Sequence, residues 1–158
     1  MHVFELKHPV AHSADDMYAL VANIEDYPQF LPLCEALKIK RREAVENKEV
    51  LIATMQVGYK LIRESFTTRV VLDPPTRTIF VEYLDGPFSH LENRWQFIPR
   101  AAGGSDIDFY IAYSFRSRMF ERLVGGLFDK AVQKYTSAFE ARADEVYGIK
   151  TLAFTSHE

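Results

Sequence analysis

The five histidines of this sequence are its most versatile side chains for metal binding and acid–base chemistry. His8 and His12 are four residues apart, but Pro9 lies between them at the end of a predicted strand, so we do not expect them to share a helical face as in a metal site. His90 and Glu92 match half of a zinc-deaminase signature, but the proline and two cysteines of the other half are missing. The histidines therefore predict no metal site.

Nucleophilic catalysis has little support in the other polar residues. Cys34 is the single cysteine, and we expect it to be a small buried side chain rather than a nucleophile. No serine has the glycine-flanked setting of a hydrolase nucleophile. Acid–base chemistry stays open if Arg63, Glu64 or Asp108 points inward, although no pattern selects them. We therefore predict no catalytic residue, no cofactor and no enzyme activity, with a cyclase-type enzyme as the less favoured alternative.

A basic run from Lys38 to Arg42 is the strongest local charge feature. On a strand, Lys38, Lys40 and Arg42 project from one face. Such a row either keeps the edge of a sheet solvated or binds anions, namely membrane headgroups or ribosomal RNA. Three arginines at the start of the last predicted helix can extend this patch: Arg116, Arg118 and Arg122.

Composition limits the class of protein that positions these residues. A chain of 158 residues suits one domain, and one cysteine excludes a disulfide framework. A net charge of −3 argues against nucleic-acid binding by bulk charge, and no apolar run is long enough to span a membrane. The start of the chain shows no targeting segment, so we expect a cytoplasmic protein. Aromatic residues reach 13%, which either fills a core or lines an apolar pocket.

Hydrophobic periodicity predicts two short helices after a first strand. Residues 2–7 alternate as a strand that Pro9 ends, and Ser13 caps a short amphipathic helix. A second, shorter helix is predicted for residues 27–31.

The rest of the chain predicts a sheet followed by a long helix. From Leu37 to Phe115 the period is two, which indicates strands joined by short turns in an antiparallel meander. Ser117 caps a helix that runs to about Tyr147, with Gly148 beyond its end. Its apolar stripe consists of Phe120, Val124, Leu127, Phe128, Ala131, Tyr135, Ala138 and Phe139.

These elements predict an α+β domain over residues 1–148 and a flexible tail over 149–158. A curved antiparallel sheet of six or seven strands wraps around the long C-terminal helix, because both must bury one apolar face. A cylindrical helix cannot fill a curled sheet, so we expect an apolar ligand pocket between them unless large side chains plug it.

Gly125 and Gly126 lie inside the long helix, where glycine is destabilising. Either the helix bends there to follow the sheet, or the segment from Met119 to Phe128 is a hinged gate for an apolar ligand. In the second case, exposed Met119, Phe120 and Leu123 touch a membrane.

Three motifs resemble one protein family. They are Tyr27-Pro28-x-Phe30-Leu31-Pro32-x-Cys34, Gly86-Pro87-Phe88-x-x-Leu91-x-x-x-Trp95-x-Phe97, and the long helix ending in Tyr147-Gly148. In this order, over residues 1–148, they resemble the coenzyme Q-binding and ribosome association toxin branch of the START-like polyketide cyclase/dehydrase superfamily.

The resemblance implies a helix-grip fold and one of two activities. The first is binding a coenzyme Q-like isoprenoid quinone and presenting it to respiratory complexes, with peripheral contact at the inner face of a membrane. The second is blocking the association of ribosomal subunits. The family has no catalytic residue set to carry over.

The predicted site comes from assigning residues to the inner face. The ligand-binding residues are Phe30, Leu31, Phe66, Trp95, Phe97, Phe109, Tyr113, Val124, Leu127, Phe128 and Ala131. Arg63, Gln96 and Tyr113 are candidates for the polar head group of the ligand.

Overall fold

The fold is described for residues 1–152 by a computed structural model. One sheet contains β1 (His2–Val10), β2 (Cys34–Val45), β3 (Lys48–Tyr59), β4 (Ile62–Asp73), β5 (Thr78–Asp85), β6 (Phe88–Pro99) and β7 (Ser105–Phe115). The α-helices are α1 (Ala14–Ala22), α2 (Arg118–Gln133) and α3 (Tyr135–Tyr147). Short 3-10 helices cover Ile24–Gln29 and Pro74–Thr76. The predicted tail lies partly outside the described residues, and 149–152 belong to no helix or strand.

The sheet is an antiparallel meander completed by its first strand. The strand order is β1-β7-β6-β5-β4-β3-β2, and each neighbouring pair is antiparallel. Strands β2 to β7 follow one another in space, as the short turns predict, while β1 adds beside β7. The predicted α+β helix-grip class is confirmed, with a seven-stranded sheet.

Strand β4 illustrates how the alternating sequence builds the inner face. Phe66, Thr68, Val70 and Leu72 are buried, whereas the residues between them are less so. Since successive side chains of a strand point to opposite faces, these four residues share the face that the helices cover.

The N-terminal prediction holds with one difference in β1. The Ser13 hydroxyl accepts a hydrogen bond from the Asp16 N–H at 3.1 Å, which caps α1 as predicted. Pro9 does not end β1, which pairs with β7 as far as Val10. Because β1 is an edge strand, the missing proline N–H is tolerated.

The second helix and the start of β2 are shifted from their predicted positions. A 3-10 helix over Ile24–Gln29 replaces the helix predicted for 27–31. The Tyr27 hydroxyl fixes it by donating to the Val21 carbonyl at 2.5 Å. Strand β2 begins at Cys34, directly after this turn.

The predicted single C-terminal helix is wrong, because Lys134 divides it into α2 and α3. The Lys134 N–H donates to the carbonyls of both Ala131 and Val132, a tightened turn that ends α2. Helix α2 continues without interruption through Gly125 and Gly126, so the break lies elsewhere than at the glycine pair.

Helix α3 is tied to the N-terminal segment. A His8 ring nitrogen lies 2.8 Å from a Glu140 carboxylate oxygen, and a nitrogen of buried His12 lies 2.7 Å from an Asp144 oxygen. Gly148 follows α3 with φ of 90° and donates to the Asp144 carbonyl, as predicted for its position.

No helix within residues 1–152 has the length and apolar character needed to cross a membrane.

Candidate ligand cavity

An apolar cavity of about 90 Å³, the inner cavity, lies between the sheet and the helices. Six strands, the first 3-10 helix and the junction of α2 with α3 contribute to its wall. The lining residues are Ile24, Tyr27, Leu31, Leu37, Ala53, Met55, Phe66, Thr68, Val70, Ile79, Val81, Leu91, Asn93, Trp95, Ile111, Phe128, Tyr135 and Phe139.

Two of the polar lining residues have their hydrogen bonds satisfied within the protein. The Asn93 amide donates to the Tyr110 carbonyl at 2.9 Å, and its oxygen accepts from the Trp95 indole N–H at 2.8 Å. Tyr27 donates to the backbone of α1. These bonds fix the side chains, including the indole ring of Trp95, rather than offering groups to a ligand.

A second apolar cavity of about 40 Å³, the outer cavity, lies nearer the surface. Its wall is formed by the β3–β4 hairpin, the start of β6, the end of β7 and the first turns of α2. The lining residues are Leu33, Val57, Gly58, Tyr59, Ile62, Glu64, Pro87, Phe88, Phe115, Phe120, Val124, Leu127 and Phe128.

Phe128 is common to both cavities and separates them. Its ring packs at centroid distances of 4.9 Å from Tyr113, 5.5 Å from Phe88 and 5.9 Å from Phe115. Phe128 is therefore the one lining residue among 1–152 that borders both spaces.

A surface groove of about 320 Å³ follows the outer cavity and shares Glu64, Pro87 and Phe120 with it. Beside it, four apolar side chains form what we call the rim: Tyr59, Leu61, Met119 and Leu123. Leu61 is 98% exposed, Met119 72% and Leu123 65%. The two cavities and the groove thus form a series that leads from the core to an exposed apolar rim.

The predicted ligand-binding residues divide into three groups. Leu31, Phe66, Trp95 and Phe128 line the inner cavity. Val124, Leu127 and Phe128 line the outer cavity. The remaining predicted residues line neither internal cavity: Phe30, Phe97, Phe109, Tyr113 and Ala131.

The aromatic members of the third group pack against other aromatic rings instead, and all of them except the half-buried Phe30 are buried. Phe97 stacks on Trp95 and meets the edge of Tyr18 from α1. Phe30 lies against Tyr27 and Phe139. Face assignment identifies inward-pointing residues, but it does not reveal which of them another side chain covers.

The residues predicted to contact the head group do not line the inner cavity. Arg63 is exposed on the β3–β4 hairpin, where its guanidinium lies 3.0 Å from the Glu35 carboxylate. Gln96 is exposed, because it alternates with the buried Trp95 and Phe97 along β6. The Tyr113 hydroxyl donates to Asp129 of α2 and therefore has a protein partner.

The basic run is divided between the two faces of the edge strand β2 by a β-bulge. Ile39 pairs with Ala53 and Arg41 with Ile52, so Lys40 is the extra residue. Arg42 therefore lies on the inner face together with Ile39. Its guanidinium donates a hydrogen bond to the Glu25 carboxylate of the 3-10 helix at 2.8 Å. The prediction that Lys38, Lys40 and Arg42 share one face is wrong.

Sequence reasoning missed several lining residues that the same patterns could have found. Thr68 has the same parity on β4 as Phe66, and Asn93 the same parity on β6 as Trp95. Tyr135 was already part of the predicted apolar stripe. An apolar criterion alone excludes these polar residues, whereas their position along the strand or helix places them on the inner face.

Cys34 is buried at the start of β2 with its thiol 3.9 Å from the Ala36 carbonyl. Burial raises the pKa of the Cys34 thiol from 9.0 to about 11. The thiol is therefore protonated near neutral pH and a poor nucleophile. Within residues 1–152, no group of three or more potential metal ligands is assembled.

Comparison with known proteins identifies the family. The family described as polyketide cyclase/dehydrase and lipid transport matches residues 10–140. The chain belongs to this family. The ribosome association toxin RatA of Rickettsia prowazekii is 35% identical over 133 residues, covering 82% of this chain and 88% of that protein. The mitochondrial coenzyme Q-binding protein COQ10 homolog B of Xenopus laevis is 30% identical over 140 residues, covering 86% of this chain and 55% of that protein.

Solved structures agree with this family. The solution structure of an 18 kDa protein from Caulobacter crescentus matches with a TM-score of 0.77 at 30% identity, covering 94% of this chain and 100% of that one. A START superfamily protein at 20% identity and an aromatase/cyclase at 18% share the fold. The resemblance drawn from the three motifs is confirmed, and the protein has the START-like fold.

Proposed function

We propose that this protein binds an isoprenoid quinone in the inner cavity and presents it at a membrane surface to respiratory enzymes. The observation that carries the proposal is the series of inner cavity, outer cavity and rim, whose lining is mainly apolar. A polyisoprenoid molecule has matching chemistry, with a compact ring and a long apolar chain. Relatives named as coenzyme Q-binding proteins support this choice of ligand.

The size of the cavities implies that they enlarge when the ligand enters. Small-molecule pockets are commonly about 300–1,000 Å³, whereas the inner cavity has about 90 Å³ and the outer about 40 Å³. Movement of Phe128 and of the first turns of α2 is the least disruptive way to join them. The ring then occupies the inner cavity, and the chain extends past Leu127 toward the rim. Burial contributes about 25 cal/mol for each Å² of apolar surface.

The rim is suited to a membrane that carries anionic lipids. Leu61 and Met119 stand exposed on separate elements, where they can enter the headgroup layer. Lys60, Arg118 and Arg122 lie beside them on the same two elements, and none of these three has a carboxylate partner among residues 1–152. Each basic residue near an anionic surface contributes about 1 kcal/mol. Peripheral contact through the rim would allow the quinone to pass directly between the bilayer and the outer cavity.

The proposed role requires no bond to be made or broken. The relatives named as coenzyme Q-binding proteins or ribosome toxins do not carry enzyme names, although some structural neighbours are named cyclases. Arg63 is exposed and Asp108 lies on the outer face beside Lys7, so neither offers a carboxylate or guanidinium to the inner cavity. The cyclase alternative therefore lacks a positioned acid or base there.

A second candidate function is ribosome association. RatA relatives support it, with 35% identity and 88% coverage of the Rickettsia protein. Lys38 and Arg41 lie on the outer face of β2, with Lys40 in the bulge between them, and all three are exposed. These cations have no carboxylate partner among residues 1–152 and can contact RNA phosphates.

The first test of the proposed function is organic extraction of protein purified from its native host, followed by mass spectrometry. We expect an isoprenoid quinone close to one equivalent per chain. Absence of any lipid, together with failure to take up added quinone, would contradict the proposal and favour ribosome association.

Two sets of variants separate the candidate functions. Leu127→Glu places a charge in the outer cavity, so it should abolish quinone binding and spare ribosome contact. Reversal of Lys38, Lys40 and Arg41 to glutamate should weaken ribosome sedimentation without changing quinone binding, while Lys130→Glu is the control. Equal loss of quinone binding in both sets would contradict two separate surfaces.

Membrane contact is tested by co-sedimentation with vesicles of phosphatidylcholine and phosphatidylglycerol. Leu61→Asp combined with Met119→Asp should reduce binding about tenfold or more, since two apolar contacts are lost. Val45→Asp with Val146→Asp is the matched control, because both valines are exposed away from the rim. Equal binding by the two double variants would contradict docking through the rim.

A further inference from the structure

Two hydroxyl groups in the wall of the inner cavity are not used by the fold. Tyr135, the first residue of α3, and Thr68, on β4, both line the cavity. Neither hydroxyl has a hydrogen-bond partner among residues 1–152. By contrast, Tyr27 donates to the Val21 carbonyl and Tyr147 to the Asp16 carbonyl. On β4 itself, the outward-facing Thr67 hydroxyl lies 2.8 Å from that of Thr54.

The backbone fixes where these hydroxyls stand. The break at Lys134 restarts the helix at Tyr135, beside Phe109 and over the inner cavity. Thr68 belongs to the sheet, opposite the helices, and is 7% exposed. The two groups therefore face the cavity from its helical and its sheet wall.

These two hydroxyls differ from the fully buried unpaired hydroxyls of the described residues, which belong to Tyr18 and Thr136 and do not line the inner cavity. The hydroxyls of Tyr135 and Thr68 are accessible from the cavity instead, where phenylalanine or valine would fit the same space. Burial also raises the pKa of the Tyr135 hydroxyl well above its ordinary value, so it remains a neutral donor. A bound molecule with its own oxygen atoms would give both hydroxyls partners.

We infer that Tyr135 and Thr68 bind the oxygen atoms of the ligand's ring, so that the inner cavity selects an apolar molecule carrying carbonyl or hydroxyl groups over a pure hydrocarbon. The inference rests on the proposed quinone-binding function and specifies which end of the molecule enters first. A para-quinone carries two carbonyl acceptors on opposite edges of its ring, and one ring can therefore meet a donor on each wall. The isoprenoid chain then points toward the outer cavity, where the one lining hydroxyl within residues 1–152 belongs to Tyr59, a residue 43% exposed to water.

The orientation is consistent with the fixed polar groups around it. The Asn93 side chain donates a hydrogen bond to the Tyr110 carbonyl and accepts one from the Trp95 indole N–H. The second bond fixes the indole ring of Trp95, which forms one wall of the ring site. Because the Cys34 thiol is protonated near neutral pH, a quinone held there would not be lost by addition of a thiolate.

The test uses the fluorescence of Trp95, the single tryptophan, in the full-length chain. A short-chain ubiquinone quenches an indole that it contacts, and squalene, an isoprenoid without oxygen, is measured by displacement of that quinone. Tyr135→Phe and Thr68→Val remove one hydroxyl each with little change of shape. Tyr147→Phe and Thr67→Val are the matched controls, because their hydroxyls are paired away from the cavity.

We expect Tyr135→Phe to weaken ubiquinone binding about tenfold, the effect of one lost hydrogen bond to a buried acceptor. Thr68→Val should weaken it by a smaller factor, and squalene affinity should be unchanged in both. The melting temperature of Tyr135→Phe should stay close to that of the wild type, since no hydrogen bond within the protein is removed.

Unchanged ubiquinone affinity in both variants, or equal weakening for ubiquinone and squalene, would overturn the inference while leaving quinone binding itself intact. Failure of the wild type to bind ubiquinone at all would instead overturn the proposed function, and this inference with it.

Discussion

The two ends of the space between sheet and helices are packed in opposite ways. At the closed end, around α1, α3 and the β6–β7 hairpin, Phe97 stacks on Trp95 and meets Tyr18, while His12 contacts Asp144. At the open end, around the β3–β4 hairpin and the start of α2, Phe128 separates two cavities. Leu61 and Met119 are exposed there.

This difference assigns separate tasks to the two ends. Close aromatic packing gives stability, because every neighbouring atom contributes dispersion and no apolar surface meets water. Side chains that border a void lose those dispersion contacts, which lowers stability. A ligand that fills the void can make the same contacts and so stabilise the folded protein. The closed end thus holds the fold together while the open end binds and exchanges the ligand.

The largest expected effect tests this division by truncating one ring at each end. Phe97→Ala should lower the free energy of unfolding by about 3–5 kcal/mol, and added ubiquinone should not recover the loss. Phe128→Ala should also destabilise the protein, but it joins the two cavities, so ubiquinone should recover part of the loss. Urea unfolding with and without ubiquinone measures both. Equal recovery in the two variants would contradict separate tasks for the two ends.

A smaller effect is expected from the glycine pair of α2. Replacing Gly125 and Gly126 by alanine should stabilise the protein by about 1 kcal/mol per site. A Cβ at Gly126 meets no atom within 4 Å, and one at Gly125 lies 3.2 Å from the flexible Glu121 side chain. If α2 must flex for exchange, quinone release should also slow.

Ser137→Ala in α3 is the control for this double variant, since it raises helix propensity at the closed end alone. Stopped-flow release of ubiquinone gives the rates. An unchanged rate of quinone release in the glycine variant would contradict the hypothesis that α2 flexes at this pair during exchange. The only effect of the substitutions would then be a gain in stability.

The smallest expected effect concerns the stability of the protein at alkaline pH. The folded protein raises the pKa of the Cys34 thiol from 9.0 to about 11, so the unfolded chain loses this proton first. The contribution of Cys34 is fully present below pH 9 and is lost as pH rises toward 11. Burial raises the pKa of Tyr18 to about 12 and extends the decline.

Thermal unfolding across that range of pH measures this dependence. Cys34→Ser cannot ionise there, so its melting temperature should fall less steeply than that of the wild type. Identical slopes would show that the thiol is not protected from ionisation by the fold.

Much of the fold follows from local pattern, because period-two alternation and turn residues act over a few positions. The alternation of Phe66, Val70 and Leu72 fixes the inner face of β4, and Ser13 fixes the start of α1. The break at Lys134 was not predictable from helix propensity, since no proline or glycine marks it. The bulge at Lys40 is likewise a property of pairing with β3 rather than of β2 alone.

The candidate site was only partly predictable for the same reason. Trp95 and Phe97 have the same parity, yet one lines the inner cavity and the other is covered by Tyr18 of α1. Which inward-facing residues border a void depends on how distant elements pack, and period alone carries no such information. Thr68 and Tyr135 could be placed on the inner face from sequence, but their lack of partners is a three-dimensional property.

The central claim is that the inner cavity is a quinone site, and filling that cavity tests it most directly. Ala53→Leu adds three carbon atoms to the wall of the inner cavity, which Trp95 also lines, and Ala36→Leu adds the same atoms at an exposed position of β2. Titration with a short-chain ubiquinone should quench Trp95 in the wild type and in Ala36→Leu, whereas Ala53→Leu should bind at least tenfold more weakly while remaining as stable as the wild type. Equal quenching of a folded Ala53→Leu, or none in the wild type, would contradict the claim.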